Sequence, residues 1–171
     1  MQVRVFSAVA SAATPLAAFD RALQAGGVHD TNLIPLSSVV PAGANVVRAT
    51  ADRSEFRIGD RLYCVLAEER CVDPGSEAWA GIGWALDLDG QGGVFVEAHG
   101  HSEHHVRFEL ETTLRTLLED RPYLRTDRID TAVIGITCER EPVCALVMAI
   151  YETAPWNHFA AICSRGRRPP G

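Results

Sequence analysis

The chain has 171 residues with 47% apolar and 22% charged content, enough for one globular domain with a buried core. Its formal net charge is −6 and its only basic cluster is the tail SRGRRPPG, Ser164 to Gly171, which argues against nucleic acid as the main partner. All sixteen basic residues are arginine. Without lysine there is no lysine Schiff base, to pyridoxal phosphate or to a substrate carbonyl, and no Walker-type phosphate loop.

The element order begins with QVRVFSAVA, read as a first strand because Val3 and Val5 alternate with polar residues. TPLAAFDRALQAGG is a punctuated helix: Thr14 caps it, Pro15 suits its first position, and Gly26 or Gly27 suits its end. Leu16, Phe19 and Leu23 fall on its expected apolar face, with Asp20 at the border of that face. NLIPLSSVVPAG, Asn32 to Gly43, follows, with two hydroxyls inside an apolar run. A polar stretch, Asp52 to Asp60, leads into the strand RLYCVLAEER and the turn VDPGSE. AWAGIGWALDL and GVFVEAHGH read as two strands joined at DGQGG.

Ser102 to Asp120 is a second helix, capped by Ser102, with a stripe of Val106, Leu110, Thr113, Leu114 and Leu117, and stopped by Pro122. DTAVIGITCE and PVCALVMAIYET are two final strands. Val143 to Ile150 is apolar almost without break, as in a strand covered on both faces. Hairpin-linked strands outnumber helices, which makes the fold class α+β, with antiparallel sheet covered by helices on one side. Residues 1–163 read as a single domain and 164–171 as a flexible basic tail.

No apolar run reaches the ~20 residues needed to cross a bilayer, and the N-terminus does not read as a signal peptide, so the expected location is cytoplasmic with no membrane partner. Cys64, Cys71, Cys138, Cys144 and Cys163 form no zinc spacing and are expected as reduced thiols; Cys64, Cys138 and Cys144 lie in apolar segments. HGHSEHH places His99, His101, His104 and His105 close in sequence, but adjacent histidines opening a helix point apart, so no metal site is assigned.

The Asp-bearing helix core AFDRAL, Ala18 to Leu23, followed by NLIPLSSVVP, Asn32 to Pro41, resembles the N-terminal segment of pyruvoyl-dependent arginine decarboxylases, in order and in spacing. GIGWALDLDGQGGVFVEAHGH is similar to that family's glycine-rich strand pair ending in a glutamate. The resemblance runs from about residue 3 to about residue 155 and implies an αββα-type sandwich.

It further implies self-cleavage between Ser37 and Ser38. Ser38 Oγ attacks the Ser37 carbonyl, elimination frees the Ser37 carboxylate, and hydrolysis leaves a covalent pyruvoyl group at position 38. That ketone supplies the imine chemistry that the lysine-free chain otherwise lacks, in place of pyridoxal phosphate. Among the site residues, Asn32 is implied to assist cleavage, and Glu97 to be the proton donor, with a carboxyl raised by an apolar pocket. Asp20, His29, Thr31 and Val39 are implied at the substrate, Asp20 receiving the guanidinium fork of arginine. From the residues alone, Asn32 can equally be a turn residue, and Asp20 a helix-surface aspartate.

The implied reaction converts L-arginine to agmatine and CO2, in a homotrimer or a dimer of trimers. His29–Asp30 stands where the family has Gly–Asn, which leaves open another amino acid as substrate. An unprocessed homologue that binds a small cation and a metal-dependent hydrolase built on the histidines also stay open.

Overall fold

A computed structural model describes residues 1–156 of the chain. The tail Ser164–Gly171 and Cys163 lie outside those residues.

Two sheets face each other. The first contains β1 (Gln2–Ser11), β2 (Asn32–Pro35), β4 (Asn45–Arg48), β5 (Arg61–Cys71) and β9 (Val143–Ala154), in the order β2-β5-β9-β1-β4. The second contains β3 (Val39–Val40), β6 (Glu77–Leu86), β7 (Gly93–Gly100) and β8 (Asp130–Thr137), in the order β3-β7-β6-β8. The second sheet is antiparallel throughout. In the first, both edge pairs, β1–β4 and β2–β5, run parallel. The expected all-antiparallel pairing therefore holds except at these edges.

The apolar run of β9 is at the centre of the first sheet and buried on both faces, as its composition predicts. Val143, Ala145, Val147, Ala149 and Tyr151 face the inter-sheet core with Ile82, Trp84 and Phe95. Cys144, Leu146, Met148 and Ile150 face the opposite way, into the core under α1 (Pro15–Ala25). A third core packs α2 (Glu103–Glu119) through Val106, Leu110 and Leu114 onto Val94, Val96 and Ala98. The helices thus cover opposite outer faces, giving four layers in the order α1, first sheet, second sheet, α2. This corrects the one-sided arrangement expected from element order. Two apolar sheets leave two faces to cover, and one helix serves each.

Thr14 Oγ1 accepts from the Ala17 N–H at 3.2 Å and so caps α1, and Ser102 Oγ caps α2 by accepting from the His105 N–H at 3.4 Å. The core face of α1 keeps the expected Leu23, with Phe19 half-buried against the same core, and extends to Ala18 and Ala22, whose small side chains let the helix sit close to the sheet. Leu16, two positions before Ala18 and so about 160° around the helix from it, is 67% exposed. On α2, Gly81 and Gly83 of β6 make room for the helix: a Cβ on Gly83 would lie 2.6 Å from Leu114 Cδ1.

The β6–β7 loop is organised by Asp87, a buried carboxylate that the sequence pattern does not single out. It accepts backbone N–H groups of Arg125 at 2.8 Å, Asp89 at 2.9 Å and Gln91 at 3.1 Å. These bonds, Arg125 first, hold its carboxyl below the usual carboxylate range. The folded-state value is the lower one, so the stabilisation is fully present above the unfolded value of about 4 and is lost as pH falls through the folded one. Asp87→Ala is expected to lower the urea midpoint at pH 7, and its gap from wild type should narrow below about pH 4. A gap independent of pH would show that the carboxylate charge is not what holds the loop.

Candidate functional site

Leu36 is the last residue tied to the first sheet: its N–H donates to the Cys64 carbonyl at 2.8 Å. Ser38 is the first tied to the second: its carbonyl accepts the Phe95 N–H at 2.8 Å. Ser37 alone bridges the two, and it is exposed. To make this crossing Ser38 adopts φ 63°, a left-handed conformation that costs a serine about 1–3 kcal/mol.

The hydroxyl of Ser38 donates to Glu97 Oε1 at 2.5 Å. That is the short end of the range for a hydroxyl on a carboxylate. Glu97 comes from β7, where it alternates in phase with Phe95, and it is half-buried. Strand β9 reaches across from the first sheet: Tyr151 Oη donates to the Val39 carbonyl at 3.0 Å. The Tyr151 ring packs edge-on to Phe95, centroids 6.1 Å apart. Burial, and secondarily the charge of Glu97, push the Tyr151 hydroxyl above its usual range, so it stays protonated as a donor. Tyr151 and the Phe95 N–H were not singled out in the sequence. The legible signal for Tyr151 was a hydroxyl ending the core-facing series Val143 to Ala149. The Phe95 N–H, a backbone group, leaves no trace in composition.

The other predicted site residues are placed as follows. Asn32 Nδ2 donates to the Gly59 carbonyl at 2.7 Å, and the Asn32 N–H donates to the Asp60 carbonyl at 2.7 Å. Thr31 Oγ1 donates to the Val28 carbonyl at 2.7 Å. His29 Nε2 accepts from Arg53 Nε at 3.3 Å, while its Nδ1 is buried with no protein partner. Arg53 also reaches Asp30 Oδ2 at 3.3 Å. The side chain of Val39 is exposed beside Ser38.

Asp20 is exposed, accepts from Gln24 Nε2 at 2.6 Å, and lies about 200° around α1 from the buried Ala18. The first sheet intervenes between α1 and the inter-sheet gap, so a single chain does not bring Asp20 to Ser38.

The histidines diverge. His99 Nδ1 lies 2.7 Å from Glu69 Oε2, His101 Nδ1 lies 2.9 Å from the Glu77 carbonyl, and His105 pairs with Glu109 at 3.5 Å. Among the described residues, no three His, Cys, Asp or Glu side chains converge as a metal site. Cys64, Cys71, Cys138 and Cys144 are buried free thiols, and burial pushes Cys64 and Cys144 up to about 12, which keeps them protonated. No helix among the described residues is long and apolar enough to cross a membrane.

The family model of the pyruvoyl-dependent arginine decarboxylases matches residues 2–154. The chain belongs to the pyruvoyl-dependent arginine decarboxylase family. Its relatives carrying that name include one from Pyrococcus horikoshii, 30% identical over 149 residues, 85% of this chain and 91% of that protein. Another, from Methanococcoides burtonii, is 31% identical over 105 residues, 61% of this chain. The chain spans 56% of that relative's length. A solved pyruvoyl-dependent histidine decarboxylase at pH 8 superposes with a TM-score of 0.41 at 15% identity, over 55% of this chain and 51% of that one. The serine pair, the β7 glutamate and the Asp-bearing helix of this family member all lie inside the matched span.

Gly92 sets how closely β3 approaches the site. It has φ 104°, and a Cβ there would lie 2.4 Å from the Val40 carbonyl oxygen, a backbone atom that cannot swing away. Gly92→Ala is expected to cost about 2 kcal/mol in urea unfolding. An unchanged urea midpoint would contradict the close approach of β3 to this turn.

Proposed function

We propose that this chain is a self-processing decarboxylase that converts L-arginine to agmatine and CO2, using a pyruvoyl group made from its own Ser38. The observation that carries this reading is the Ser38 hydroxyl on Glu97 at 2.5 Å, on a serine held at φ 63° in a one-residue bridge between sheets.

Glu97 accepts the Oγ proton as Oγ attacks the Ser37 carbonyl, and that proton passes to the departing amide nitrogen. The product is an ester between the Ser37 carbonyl and Ser38 Oγ. Elimination across Cα–Cβ of residue 38 then releases the Ser37 carboxylate. Water replaces the nitrogen, which departs as ammonia, so one water enters and one ammonia leaves. Each step that flattens Cα relieves the left-handed strain of Ser38. Rigid tethering of both neighbours, Leu36 to one sheet and Ser38 to the other, supports attack by orientation rather than by a strong base.

The chain's own residues suit the product group: its carbonyl side is met by the Phe95 N–H, and its reactive side faces Glu97. The pyruvoyl group supplies a ketone for the substrate amine and an amide that draws off the electron pair left by CO2. Glu97, once protonated, returns a proton to the substrate carbon. Asn32 assists cleavage, and His29, Thr31 and Val39 border the substrate. Asp20 receives the guanidinium from a neighbouring subunit, because within one chain the first sheet separates it from Ser38. A homotrimer or a dimer of trimers supplies that second chain, and the cytoplasm is the proposed location.

The Arg53–His29–Asp30 knot favours a second reading, in which the site takes a different amino acid. Arg53 there adds a fixed cation near the substrate-binding segment, which a cationic substrate would have to tolerate. Measuring CO2 release across the amino acids separates the two: arginine first supports the leading reading, and another substrate first replaces it.

Intact-mass analysis of the purified chain should give two fragments, 1–37 and 38–171, and Ser38→Ala should remain whole. A single full-length wild-type chain that carries no reducible carbonyl would end this reading. Glu97→Gln is expected to slow cleavage and, per mole of pyruvoyl that does form, to lower kcat about 100-fold or more. Asp20→Ala should raise KM for arginine roughly 10- to 100-fold with a smaller change in kcat, from loss of a charged hydrogen-bonded pair.

A further inference from the structure

We infer that the backbone N–H of Phe95 is a catalytic group, which stabilises the negative charge that reaches the Ser38 carbonyl oxygen when the chain is cut. The inference rests on the self-processing reading above.

The demanding step is elimination from the ester. The Cα proton of residue 38 leaves to the Glu97 carboxylate, its electron pair forms the Cα–Cβ double bond, and the Cβ–Oγ bond breaks with its pair on the Ser37 carboxylate. The Cα–H bond is only weakly acidic, because the adjacent carbonyl is an amide. Charge developing on Cα spreads onto one atom, the Ser38 carbonyl oxygen. That oxygen accepts the Phe95 N–H at 2.8 Å.

The donor is fixed in place. Phe95 is buried within β7, its neighbours Val94 and Val96 are buried on the opposite face under α2, and its ring is clamped between Trp84 and Tyr151. A fixed N–H on a buried strand needs no reorganisation as charge appears. The same carbonyl persists in the product as the amide beside the ketone, so the donor serves decarboxylation too.

Tyr151 provides the internal comparison. Its hydroxyl also holds β3, but through the Val39 carbonyl, one peptide further on and not conjugated to the reacting Cα. If β3 only needs anchoring, the two donors are equivalent. If charge must be stabilised, only the Phe95 N–H matters.

The test replaces Phe95 by phenyllactic acid in the full chain, which turns its N–H into an ester oxygen and keeps the ring, alongside Tyr151→Phe. Each chain is treated with hydroxylamine and weighed. Hydroxylamine cuts a trapped Ser37–Ser38 ester to a 1–37 hydroxamate, whereas completed elimination leaves a 1–37 carboxylate; it also cuts the Val94–phenyllactate ester, so the 1–37 fragment alone is read in both chains. The expected result is elimination slowed about 100-fold in the phenyllactate chain, with the ester accumulating there and not in Tyr151→Phe.

Normal cleavage of the phenyllactate chain, or equal accumulation in both variants, overturns the inference. A wild-type chain that never cleaves overturns the self-processing reading, and the inference with it. If the phenyllactate chain does not melt cooperatively, hydrogen exchange at the Phe95 amide of the cleaved wild-type protein decides. Strong protection together with no ester accumulation in Tyr151→Phe supports the inference; exchange at the rate of an exposed amide, or ester accumulation in Tyr151→Phe, overturns it.

Discussion

The peptide between Leu36 and Ser38 is tied at one end to the first sheet and at the other to the second, with one residue to span the gap. This tether sets the geometry of the site. It forces Ser38 into a left-handed backbone, aims its hydroxyl at Glu97 and leaves its carbonyl on the Phe95 N–H. None of these three would hold if the chain crossed by a longer loop, because closing a longer loop leaves the backbone more conformations and less strain.

The tether depends in turn on the spacing of the layers, which is set by β9. Its side chains alternate between two cores, one under α1 and one between the sheets, and the small residues Ala145 and Ala149 keep the sheets close. The last core-facing residue of that series is Tyr151, which converts apolar packing into one directed hydrogen bond at the site. Core packing and the anchoring of β3 therefore meet on a single strand. Asp87 and Gly92 act just before β7, at the same end as β3, where they set the loop that presses against it.

Under the proposed reading, the serine pair and the absence of lysine belong together. A chain that makes its electrophile from serine has no chemical need of a lysine Schiff base. The placement of Asp20 on the solvent side of α1 also acquires a meaning. As a lone surface aspartate bonded to Gln24 it is ordinary, but on an outer layer it is available to a second chain. The His29–Asp30 departure is not isolated either, since both residues are engaged by Arg53.

Much of the fold was legible because it rests on local chemistry. Thr14 and Ser102 announce their helices by capping, DGQGG announces the hairpin, and the unbroken apolar run of β9 announces a strand buried on both faces. The Ser37–Ser38 pair and Glu97 were legible as residues through the motifs around them. Leu16 shows where such reading stops: it satisfies the helical period with Phe19 and Leu23, yet it is exposed and the sheet meets the helix at Ala18, Ala22 and Leu23. Element order, lysine-free chemistry and the candidate serine follow from the sequence, because each is carried by residue identity or short-range spacing. The packed fold was needed to put the helices on opposite faces, to bring Ser38 onto Glu97 59 positions away, and to set Tyr151 and the Phe95 N–H on the adjacent carbonyls of Val39 and Ser38. Those facts depend on which sheet each strand joins. Strand pairing is a long-range choice, settled by burying two apolar faces at once, and no local pattern encodes it.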